Sequence, residues 1–88
     1  MTIPKQFDQA VTFSEQVLYV LSVIKKASAT ELAIELMELK GISSEDGVAE
    51  LAILTEEELE SLLHSGIVEI IREKREKNRY VIKDLSIG

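Results

Sequence analysis

Cysteine is absent from this chain of 88 residues. That removes disulfides and thiolate metal sites and fits a reducing compartment. Proline occurs once and glycine four times, so no low-complexity linker divides the chain. Aromatic residues make up 5% and histidine occurs once. Long apolar runs are also missing: "VLYVL" at 17–21 falls far short of the ~20 residues a membrane span requires. Acidic Asp8 and Glu15 precede that run in place of a basic leader region. These absences point to a cytoplasmic protein with no membrane association. What is present is a 45% hydrophobic composition, enough to fill one domain core without a metal or cofactor.

The net charge is −6, and its distribution is uneven. Residues 72–83 hold six basic side chains against two acidic ones, a net of +4. The other 76 residues hold four basic and fourteen acidic side chains, a net of −10. An acidic body carries a basic segment.

Hydrophobic periodicity sets the expected elements. Residues 1–11 lack a period and include Pro4, which suggests an extended N-terminal arm. Between Thr12 and Lys26, Val17, Val20, Leu21 and Ile24 form an i, i+3, i+4, i+7 stripe. Leu18, Tyr19 and Val23 widen it beyond one face. Two starts compete: Thr12 with Glu15 makes a capping box, whereas Ser14 as cap lets Phe13 pack onto Leu18. A second helix follows Ser28, with Glu31 completing its box, and stops at Gly41, where Ile42 folds back on Met37.

Residues 42–54 open with turn residues and become helix-like through Val48, Leu51 and Ala52. Thr55 with Glu58 is a further capping box, and Leu54 and Leu59 occupy the positions of a hydrophobic staple. The expectation is a fresh helix from Glu56 to Gly66, where a left-handed glycine lets Ile67 cover Leu62. "IVEIIRE" and "RYVIKD" then read as two strands joined by "KREKN". Tyr80 and Ile82 share one face of the second strand; Arg79, Val81 and Lys83 share the other. The fold class is α+β, mainly α: about four helices followed by a C-terminal β-hairpin. Residues 12–84 form the domain and 85–88 a tail.

A leucine-rich helix ending in "LLHSGIVEI", followed by "REKREKNRYVI", resembles the last helix and wing of winged-helix domains. Residues 12–26 and 29–40 match that family's first two helices. The resemblance spans roughly 12–84 and has two departures. Residues 42–54 are longer than the family's usual turn, and the last helix is acidic. Members that bind DNA place the last helix in the major groove and the wing on phosphates or in the minor groove. The resemblance therefore implies DNA binding and transcription regulation. Winged-helix proteins often dimerise through terminal helices, which implies a homodimer.

Here the surface expected to enter DNA reads "TEEELES". DNA carries one negative charge per ~1.7 Å of axis, and residues 30–64 hold ten carboxylates against Lys40 alone. Like charges across an interface oppose that insertion. The candidate binding residues are instead Arg72, Lys74, Arg75, Lys77, Arg79 and Lys83. They are suited to a nucleic-acid backbone or to an acidic protein partner, and a solvated charged turn explains them equally. Phe13, Leu18, Tyr19 and Val23, on the wide apolar circumference of the first helix, are candidates for self-association. The competing explanation is that residues 42–54 cover that surplus face.

Catalytic and metal chemistry find no pattern. His64 has Glu60 four residues before it but no third ligand. Asp46-Gly47 lacks the alternating oxygens of a calcium loop. No phosphate-cradling glycine loop is present, and no serine–histidine–acid set follows from spacing. The expectation is a non-enzymatic binding module: a nucleic-acid-associated regulator using its basic wing, or a protein-interaction module without DNA binding.

Overall fold

In the computed structural model, residues 5–72 and 78–83 are described. The order is a 3-10 turn at Phe7–Gln9, α1 (Phe13–Ile24), α2 (Ala29–Lys40), α3 (Glu45–His64), β1 (Val68–Ile71) and β2 (Arg79–Ile82). The class is α+β, mainly α, as the residue pattern implies. The helix number differs: three α-helices occur among the described residues where about four were expected.

The difference lies at Thr55. Its position is the middle of α3, fully buried, and its hydroxyl donates to the Leu51 carbonyl at 2.7 Å. A threonine can satisfy its hydroxyl one turn back without ending a helix. Neither glycine nor proline occurs between Val48 and His64, so nothing forces a break. The supposed staple fails as well, because Leu59 is buried while Leu54 is 43% exposed. At ~1.5 Å per residue, the single helix is about 30 Å long.

The other caps follow local chemistry. Of the two competing starts for α1, Thr12 is the cap: its hydroxyl accepts from the Glu15 amide at 3.1 Å, and Glu15 accepts from the Thr12 amide. Ser28 and Glu31 form the same box at α2. Gly41 is left-handed and the Ile42 amide donates to the Met37 carbonyl at 3.0 Å. Gly66 has φ +79°, and the Ile67 amide likewise returns to Leu62 at 3.0 Å.

Helix α1 stops two residues before the expected Lys26. Lys25 has φ 74° and ψ −49°, and the Lys26 amide donates to the Ile24 carbonyl at 2.9 Å. This is a γ-turn of the strained, positive-φ kind. The strain is offset by what the turn delivers: Ala27, fully buried, exchanges hydrogen bonds of 3.2 and 2.7 Å with Tyr80. Replacing Lys25 by glycine relieves a conformation that costs a side chain about 1–3 kcal/mol. It also adds unfolded-state entropy, so a net stabilisation of about 1 kcal/mol is expected in urea unfolding. A loss of stability would mean that the Lys25 side chain holds the turn.

β1 and β2 pair antiparallel, Val68 with Ile82 through Ile71 with Arg79, and Lys83 extends the ladder by donating to Ile67 at 2.8 Å. Ala27 pairs on the other side of β2. Val68 and Ile82 are buried and Tyr80 is half-buried, on the face turned to the helices. α1 is the central element, packed against α2, α3, β2 and the N-terminal 3-10 turn. Its Val17, Leu18 and Leu21 meet Leu32, Leu36, Leu59 and Val68 in one core. Each such burial contributes about 1.5–3 kcal/mol.

The arm is not extended throughout. Phe7 turns inward in the 3-10 segment and meets Tyr19 edge-on, with ring centroids 5.9 Å apart, and Ala10 is buried. Among the described residues no helix is long and apolar enough to cross a membrane.

Candidate functional site

The basic candidates divide into three groups. Arg72 and Lys83 flank the hairpin strands and are exposed. Arg79 begins β2, half-buried, with its Nε 3.8 Å from Glu31 Oε1. Lys74, Arg75 and Lys77 lie outside the described residues.

The Arg79–Glu31 pair follows from α2's cap. Glu31 Oε1 accepts from the Ser28 amide at 3.0 Å, and the same oxygen faces Arg79. Ser28 directly follows Ala27, which is bonded to β2. The cap and the strand therefore arrive together. A pair with Glu31 49% exposed contributes only a few tenths of a kcal/mol, yet it places a carboxylate beside a cation expected to meet a polyanion.

α3 brings further negative charge to the same strand. Glu56, Glu57 and Glu60 are exposed on α3, while Glu58 is half-buried. The carboxylates of Glu56 and Glu60 act on Tyr80. Burial first, and then these two charges, raise the Tyr80 phenol above its ordinary value of 10.0. A phenol raised in the folded state favours its neutral form there. The associated stability is complete below the unfolded value, near 10, and lost as pH rises through the folded one. In a Tyr19→Phe background, tyrosinate absorbance should show Tyr80 titrating above an unfolded reference. Glu56→Gln with Glu60→Gln should bring it partway down. An unchanged titration in that variant would remove the electrostatic link between α3 and β2.

The self-association candidates are also separated. Leu18 is 1% exposed and belongs to the core, so it is not part of any surface. Tyr19 is half-buried against Phe7. Phe13 is half-buried, with the Lys40 ammonium 5.2 Å from its ring centroid. Val23 alone of the four is exposed, at 59%. The surplus circumference of α1 is filled from several directions: the 3-10 turn and β2 as well as α2 and α3. Residues 42–54, the cover in the competing explanation, supply the buried Leu51 to the same core.

His64 is exposed as the last residue of α3. No cluster of three or more histidine or carboxylate side chains able to hold a metal occurs among the described residues. Sequence reasoning missed the Arg79–Glu31 pair, the Ala27–Tyr80 bridge and the Lys40–Phe13 contact. Each joins residues distant in the chain, and no local spacing signals it.

At the base of the hairpin, Glu31 of α2 lies beside Arg79, and the charges of Glu56 and Glu60 on α3 act on Tyr80. Comparison with protein-family models, curated proteins and solved structures gave no match.

Proposed function

We propose that this chain is a winged-helix-like, non-enzymatic protein-interaction module whose last helix does not enter a DNA groove. The order of three helices and a hairpin agrees with the resemblance in the sequence. The observation that carries the reading is the exposure of Glu56, Glu57 and Glu60 on α3, with Glu56 and Glu60 acting on β2. Any duplex reaching the hairpin on that side also meets these carboxylates, and phosphate binding depends on cations. Arg79 is already beside Glu31.

The second reading is a nucleic-acid-associated regulator, favoured by the exposure of Arg72 and Lys83 and by the remaining wing cations. Anisotropy titrations with labelled duplex and single-stranded DNA at low salt separate the two. The expected result is no saturable binding. Salt-sensitive binding, lost when Arg75, Lys77 and Arg79 become alanine, would replace the proposal with the regulator reading. Sedimentation of the same samples reports whether the module pairs with itself.

A further inference from the structure

The first half of α3 has no counterpart in the short turn that the resemblance implies, and its outer side is unusual. Asp46, Glu50, Ile53, Leu54 and Glu57 recur at i, i+4, i+7, i+8 and i+11, and all five are exposed. They lie within one helical stripe. Ile53 is 59% and Leu54 43% exposed, which leaves two large aliphatic side chains adjacent in solvent. Beside them lies an open groove of about 370 Å³ lined by Ile42, Leu51, Leu54, Glu50 and Lys40. Leu51 roots its floor in the core.

We infer that this face binds an amphipathic, lysine- or arginine-bearing helical segment of another protein. The inference rests on the protein-interaction reading and names the partner's chemistry. Charge decides between occupants. Residues 42–60 carry seven carboxylates and no cation. Lys40, the cation at the groove, lies over the Phe13 ring. A nucleic acid is repelled by such a surface. A second copy presenting the same stripe sets carboxylates against carboxylates, because a two-fold interface brings identical patches together. A helix with aliphatic residues along one side and cations beside them satisfies both features. Its apolar side covers Ile53 and Leu54 and enters the groove, while its cations reach Asp46, Glu50 and Glu57. That is helix recognition through an apolar anchor with electrostatic complementarity at the rim.

The test uses the full chain and a fluorescein-labelled designed amphipathic helix built from leucine and lysine. Two controls accompany it: a scrambled peptide of identical composition without an apolar side, and a peptide with glutamate in place of lysine. The expected result is saturable binding of the amphipathic cationic peptide, at least tenfold tighter than either control. Amide shift changes should centre on Ile42 and on residues 50–57. Binding should weaken at least tenfold in Ile53→Ser with Leu54→Ser, and similarly in Glu50→Lys with Glu57→Lys. Both pairs replace exposed side chains, and circular dichroism confirms their helix content. Equal binding of the scrambled peptide, or shifts centred elsewhere on wild-type protein, overturns the inference without reference to any variant. Failure of both the peptide and labelled duplex DNA to bind overturns the site alone. Duplex binding by the wild-type chain overturns the underlying reading, and a dimer abolished by the Ile53→Ser, Leu54→Ser pair makes the occupant a second copy and overturns the assignment.

Discussion

Replacing the exposed Glu56 by proline is expected to destabilise the protein by about 3 kcal/mol or more. The side chain is in solvent, so the effect arises from the backbone. Position 56 lies inside the twenty-residue α3, where proline removes a helical hydrogen bond and clashes with the preceding turn. Were Thr55 the cap of a separate helix, position 56 would be its first residue, a place proline favours. The two architectures thus predict opposite outcomes for one substitution. Urea unfolding checks it, with Glu56→Ala as a control expected to stay within about 0.5 kcal/mol of wild type. A proline variant as stable as that control would restore the four-helix description.

Leu18→Ala should lower stability by about 2–5 kcal/mol, the range for truncating a buried leucine. Leu18 is 1% exposed at the junction of α1 with the rest of the core. The loss should be the same at all protein concentrations, since a residue buried within one chain acts on that chain alone. If Leu18 instead supported self-association, the unfolding midpoint would shift with concentration. Val23→Ser, on the exposed side of the same helix, should change stability by no more than about 0.5 kcal/mol. Chemical denaturation across a range of concentrations distinguishes these cases.

Much of the architecture was legible in local chemistry. The Ser28–Glu31 box, the left-handed Gly41 and Gly66 and the alternation of Tyr80 with Val81 each involve residues within a few positions of one another. Their outcome depends little on distant neighbours. Thr55 misled for the converse reason. Thr-x-x-Glu describes a helix start and a helix middle equally well, and the buried Thr55 hydroxyl, which donates to the Leu51 carbonyl one turn back, belongs to the middle. The candidate site was legible only as charge. Clustered cations in residues 72–83 are visible in the sequence, but the carboxylate beside Arg79 comes from α2 and the charges that help raise the Tyr80 phenol come from α3.

By itself, the order of residues determined the fold class, the Ser28–Glu31 cap, the glycine stops at Gly41 and Gly66, the hairpin and the segregation of charge into an acidic body and a basic segment. These follow from side-chain spacing and from glycine's access to positive φ. Only tertiary packing decided that α3 runs unbroken, that Leu18 is interior and that Glu31 meets Arg79. Packing also left Ile53 and Leu54 outside. Each of those outcomes depends on which surfaces three helices and a ribbon bury together, and hydrophobic burial rewards apolar area wherever along the chain it originates.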